Sequence, residues 1–267
     1  MTTVTSRDGT PIAYSRTGQG PALLLVDGAM CYRASGPSTP LAERLTGDYT
    51  VYTYDRRGRG ESGDTPPYAP EREVEDIAAL IELIGEPVFL YGISSGAALA
   101  LAAAASGLPV SKVAVYEPPF VVDGTRPPMP ADYTATLESL LAAGKPGAAI
   151  RYFMREGVGL PAPMVALMPL VPGWSGMKKV ARTLPYDAAF VTEFAQGRPL
   201  PEGRWDGVKM PALVVDGGKS PAWIRNGTRD LARVLPDAEH RTLDGQTHMV
   251  KPDVLAPVLK EFFHTHS

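Results

Sequence analysis

The chain has 267 residues, with 29 Asp and Glu against 26 Lys and Arg for a formal net charge of −3, and is 44% hydrophobic and 21% charged. That length suits one α/β domain with an insertion better than two independent domains. The mild acidity leaves no electrostatic footprint for nucleic acid or an anionic membrane, and a single cysteine, Cys31, excludes an internal disulfide framework and any thiolate metal cluster.

No apolar run approaches the ~20 residues of a membrane span. The first residues, MTTVTSRDGTPIAY, have neither a basic start nor an apolar h-region. A cytoplasmic protein is expected.

In chain order, Ala22 to Val26 (ALLLV) reads as a buried strand, and Thr50 to Tyr54 (TVYTY) as a further strand candidate ending in DRRGRG. Glu71 to Ile84 places Val74, Ile77, Ile81 and Ile84 three and four apart, with acids on the other face, which predicts an amphipathic helix. Val88 to Tyr91 (VFLY) and Lys112 to Tyr116 (KVAVY) are apolar runs bounded by turn signals, as strands of a sheet covered on both faces require. The alternation then fails between about Asp123 and Asp206, a stretch with five of the nine methionines (129, 154, 164, 168 and 177) and helical patterns over Tyr133 to Ala142 and Ala148 to Arg155. It resumes with a strand over Ala212 to Val215, a short strand-like run AEHRTL around His240, and a helix over Val254 to Phe263.

Strand alternating with helix predicts an α/β fold with a mostly parallel central sheet flanked by helices. Residues 1–122 and 207–267 form the expected core, and 123–206 a helical lid inserted before the penultimate strand. The methionines of that stretch, and Trp174, Trp205 and Trp223, either line a pocket beneath it or fill its own core.

Gly92-Ile93-Ser94-Ser95-Gly96 follows the strand VFLY and precedes the small-residue helix AALALAAAA. This is G-x-S-x-G in strand–turn–helix context, a nucleophile elbow. A serine there sits on a sharp, strained turn, and only small neighbours let strand and helix approach closely enough to form it. The helix aims its unbonded N–H groups and positive end at the place where an oxyanion develops.

From that motif outward the chain resembles the α/β-hydrolase superfamily over nearly its whole length. PALLLVDGAM stands in place of the strand and oxyanion loop, and YDRRGRGESG looks like the Y-D-x-R-G-x-G-x-S segment. GISSG is the elbow, VYEPP follows the next strand, and LDGQTHMVKPD looks like the late histidine loop. The resemblance implies Ser94 as nucleophile, His248 as general base, and the backbone N–H groups of Ala29 and Ser95 as oxyanion donors. Of the other histidines, His240 sits in the strand-like run, while His264 and His266 are expected in a frayed tail.

Two departures from that pattern matter. Asp27-Gly28 stands where the family usually has His-Gly, so a carboxylate lies close to the developing oxyanion and opposes it unless paired or protonated; Arg33, Arg56 and Arg57 are the expected partners. The loop that usually carries the triad's acid reads DGGKSP, with Ser220 where the aspartate falls. Glu117, after the strand KVAVY, is the first candidate for the missing acid and Asp216 the second. Ile93 before the nucleophile makes the pocket floor more apolar, and Met30 and Cys31 are further pocket candidates. DGGKSP lacks the spacing of a phosphate-binding P-loop.

These residues predict a metal-free and cofactor-free serine hydrolase acting on a small-to-medium apolar ester or lactone through an acyl-enzyme. Two alternatives stay open: an α/β-hydrolase-fold enzyme doing C–C cleavage, elimination or cyclisation, and a ligand-binding protein on this scaffold.

Overall fold

The structure is a computed structural model and describes residues 2–264. Eight strands form one sheet in the order β1-β2-β4-β3-β5-β6-β7-β8. They are β1 (Thr3–Thr5), β2 (Pro11–Gly18), β3 (Ala22–Val26), β4 (Thr50–Tyr54), β5 (Val88–Ile93), β6 (Val110–Tyr116), β7 (Ala212–Gly217) and β8 (Ala238–Leu243). The pairs β1–β2 and β2–β4 are antiparallel and every other pair is parallel. The five sequence-predicted strands fall on β3 to β7, and AEHRTL is β8.

The continuous apolar runs follow from burial on both faces. Leu24, Val26, Leu90, Val113, Val115 and Val214 pack into one cluster, while Leu23, Leu25, Tyr91, Ile93, Ala114, Leu213 and Val215 pack into another. The first cluster is covered by α2 (Pro70–Ile84), α3 (Ser95–Ala105) and α9 (Ala222–Val234), the second by α1 (Ser38–Leu45) and α10 (Pro252–His264). Helix α3 is apolar nearly all round and is correspondingly buried. His264 is the last residue of α10, its ring centroid 5.3 Å from that of Tyr49, rather than part of a frayed tail. His266 lies outside the described residues.

Between β6 and β7 the chain forms helices and no strand: α4 (Tyr133–Ala142), α5 (Pro146–Tyr152) continued by a π-helical turn over Phe153–Gly157, α6 (Ala162–Leu167), α7 (Trp174–Val180) and α8 (Leu184–Val191). Met129 and Trp205 are buried there, Trp205 against Phe120 and Phe194, whereas Met164 is 56% exposed. The methionines therefore have no single role. Helix α8 packs on α3 and so brings the insertion over the start of the helix that follows the elbow.

Candidate active site

Parallel strands converge their carboxyl ends on one edge of the sheet, and loops from several strands meet there. Three non-glycine residues with positive φ are found among the described residues, and all three lie at this edge: Met30 (65°) beyond β3, Ser94 (58°) at the end of β5 and Glu117 (47°) at the end of β6. Backbone strain of this kind persists only where surrounding structure over-determines it, and it concentrates at functional sites.

Ser94 is half-buried, with its N–H donating to Tyr116 O at 2.9 Å, so the elbow is tied to the end of the neighbouring strand. The turn depends on two glycines. A Cβ on Gly96 would fall 2.5 Å from both Val26 O and Asp27 O, and one on Gly28 would fall 2.9 Å from Ser94 Cβ. Gly28 thus lies against Ser94, with half-buried Ala29 next in the chain, and Ser95 opens α3 with its N–H in the first turn, where no intrahelical acceptor exists.

Glu117 is fully buried; its Oε1 accepts the Gly217 N–H at 2.7 Å, and its Oε2 lies 2.8 Å from His248 Nδ1. A carboxylate on Nδ1 places the proton on that nitrogen and leaves Nε2 as the acceptor. The His248 loop is held from below by the Tyr116 hydroxyl, which donates to Thr247 O at 2.7 Å. Asp216, the second acid candidate, is equally buried but meets another histidine, with Oδ2 3.0 Å from His240 Nε2. Ser220 is buried, and its hydroxyl has no hydrogen-bond partner among the described residues.

The arginines expected to pair with Asp27 pair elsewhere. Arg33 meets Asp55 and Glu61, Arg57 meets Asp8 and Asp76, and Arg56 meets Glu73 and Asp187, touching only the backbone carbonyl of Asp27 at 3.3 Å. The Asp27 carboxylate instead accepts the Ser38 hydroxyl (2.6 Å) and N–H (3.2 Å) at the start of α1. Burial raises its pKa above the ordinary carboxylate range, with the Ser38 hydrogen bonds opposing the rise. Because the native pKa exceeds the unfolded one, the charged form costs stability above the unfolded pKa, and the cost vanishes as pH falls through the native pKa. Asp27→Asn keeps an acceptor for Ser38 and removes the charge. It is expected to raise the melting temperature at pH 8 by ~2–4 °C, the shift of ~1 kcal/mol in a chain of roughly this size. In thermal melts across pH the gain shrinks on acidification.

The three apolar pocket candidates differ in their surroundings. Ile93 is buried on the α1 and α10 side of the sheet, where it lines a small cavity with Tyr91, Leu41 and Val250. Cys31 is largely shielded, and burial pushes its thiol up to about 12, which leaves it a weak nucleophile. Met30 is partly buried against the α2 and α3 face.

Sequence reading missed a buried charge network beside the elbow. Asp187, on α8, accepts the Ser95 hydroxyl (2.8 Å) and Arg56 Nη1 (2.7 Å) on Oδ1, and Arg59 Nη2 (2.7 Å) on Oδ2. Burial by itself raises the pKa of Asp187, but Arg59 and Arg56 more than offset it and hold the group below the ordinary carboxylate range. The other side of Arg56 is held bidentately by Glu73, so two guanidiniums balance two carboxylates.

Among the described residues, no group of three or more His, Cys, Asp or Glu is placed to hold a metal ion, and no helix is long and apolar enough to cross a membrane. The sequence model of the alpha/beta hydrolase family matches residues 12–258. The chain is 26% identical over 252 residues to N-formylmaleamate deformylase of Pseudomonas putida, a match covering 89% of this chain and 85% of that protein. The crystal structure of an alpha/beta hydrolase from Sphaerobacter thermophilus superposes with a TM-score of 0.90 at 54% identity, covering 98% of this chain and 100% of that one. The enol-lactonase of Burkholderia xenovorans shares the fold, with a TM-score of 0.68 at 20% identity over 99% of this chain and 100% of that one. An eight-stranded sheet of this order, an elbow at the end of β5 and a family match over most of the sequence agree that the chain belongs to the alpha/beta hydrolase family.

Proposed function

We propose that this hydrolase cleaves a small-to-medium apolar ester or lactone through an acyl-enzyme on Ser94, with residues 123–206 acting as a lid over the substrate. The reading rests on one contact above all: Glu117 Oε2 at 2.8 Å from His248 Nδ1, on the strand next to the elbow. A histidine so oriented is a general base with Nε2 available for the serine proton. The deformylase and the enol-lactonase among the similar proteins fit acyl transfer to water.

In this mechanism Ser94 Oγ attacks the carbonyl carbon while its proton passes to His248 Nε2. The Ala29 and Ser95 N–H groups receive the oxyanion. Collapse breaks the bond between the acyl carbon and the alcohol oxygen, which takes the proton from His248 as it leaves. A water then gives a proton to His248 and attacks the acyl carbon. The second collapse returns the proton to Ser94 Oγ and releases the carboxylic acid.

Labelling with a fluorophosphonate, read by intact mass and peptide mapping, tests this directly. A stoichiometric adduct on Ser94, absent in Ser94→Ala, is expected. A folded protein that takes up no label overturns the acyl-enzyme reading and favours acid–base chemistry without a covalent intermediate, or ligand binding without turnover.

A further inference from the structure

We infer that Asp187 is a positioning residue for oxyanion stabilisation: its buried carboxylate, carried by the helical insertion, ties together the two backbone segments that supply the oxyanion donors. The inference rests on the acyl-transfer reading above. One tie runs to the elbow, where Asp187 Oδ1 accepts the hydroxyl of Ser95, the residue whose N–H is one donor. The other runs through the arginines to the loop beyond β3. Arg59, held by Asp187 Oδ2, donates Nη1 to Gly28 O at 2.7 Å and to Cys31 O at 3.4 Å, and these two carbonyls bracket Ala29, the other donor. Arg56, held by Oδ1, reaches Asp27 O at 3.3 Å on the same loop.

This arrangement does what a rigid support must do. The Arg59 fork is planar and bonds with fixed geometry, Ser95 Oγ has one acceptor, and Ser95, Arg56, Arg59 and Asp187 are all buried, where charge-assisted bonds are strong. Arg59 is held a third time, by Nε to Thr183 Oγ1 at 3.0 Å, just ahead of α8. The negative charge of Asp187 does not oppose the oxyanion, because the two guanidiniums neutralise it together with Glu73. Oxyanion donors act through preorganised placement, and a misplacement of ~1 Å costs up to ~10²-fold in rate.

The test compares wild type with Ser95→Ala, Ser95→Thr and Asp187→Asn, each well below its own melting temperature. It reads kcat and KM on p-nitrophenyl acetate and the inhibition constant of an aryl trifluoromethyl ketone, whose serine adduct carries an oxyanion. Ser95→Ala keeps the backbone N–H and removes only the tie. It is expected to lower kcat and weaken the ketone in parallel by about 10-fold, with KM within about twofold and with recovery in Ser95→Thr. Asp187→Asn is expected to lose about 10²-fold in both. A folded Ser95→Ala that binds the ketone as tightly as wild type, or that loses only in KM, overturns the positioning role while leaving the acyl-enzyme intact. A wild type that neither turns over the ester nor forms the ketone adduct overturns the underlying reading and this inference with it.

Discussion

Glu117→Gln is expected to lower kcat by about 10³–10⁴-fold, the scale on which a triad loses rate when its acid is neutralised and the geometry is kept. The glutamine still offers an oxygen to the Gly217 N–H, but its amide then presents N–H to His248 Nδ1. That stabilises the tautomer with the proton on Nε2, which cannot accept one from Ser94. The fold is expected to survive, because the side chain stays the same size in a fully buried site. The check is steady-state turnover of an activated ester beside a thermal melt. Loss of rate with a melting temperature within a few degrees of wild type is the expected result. Retention of rate would remove Glu117 from the mechanism, and Asp216 does not replace it in this arrangement, being bonded to His240.

The largest effect on stability is expected from Arg56→Met. Arg56 meets Glu73 at 2.7 and 2.8 Å and Asp187 at 2.7 Å, and all three side chains are at most 4% exposed. Removing one partner of a buried network leaves uncompensated charge and costs ~3–5 kcal/mol. In a chain of roughly this size that is a fall in melting temperature of ~6–20 °C. Combining Arg56→Met with Glu73→Leu is expected to return part of the loss, because the second change removes one of the stranded charges. Thermal melts of the two single variants and the double variant measure that coupling.

What the sequence carries and what it does not divide along sequence separation. The elbow is legible because strand, turn and helix occupy the contiguous run from Val88 to Ala105, and each piece has its own local signal. Helix α2 and helix α4 are legible from their apolar spacing for the same reason. β1 and β2 are not: they form the antiparallel edge, and most of β2 is exposed, so no apolar run marks them. Glu117 and Asp216 end neighbouring strands and look alike in sequence; which one meets His248 is settled by the loop that follows β8, 131 residues from Glu117. The partners of the DRRGRG arginines are equally hidden. Arg56 finds Glu73 17 residues away and Asp187 131 residues away. The available signal for Asp187 was a lone acid in the apolar helix LPYDAAFV, a placement that demands a buried partner without naming it.

Placing the carboxylate at the end of β6 rather than β7 changes how the protein can diversify. Ser94 and Glu117, the proposed nucleophile and acid, then belong to a single stretch, Val88 to Glu117, fixed relative to one another by the pairing of β5 with β6. A change of length in the segment between Glu117 and β7 lies outside that stretch and leaves the spacing as it is. On the proposed lid reading, a chimaera carrying a foreign segment between these strands is expected to change what it accepts while keeping that spacing, provided the graft brings a carboxylate to the position of Asp187.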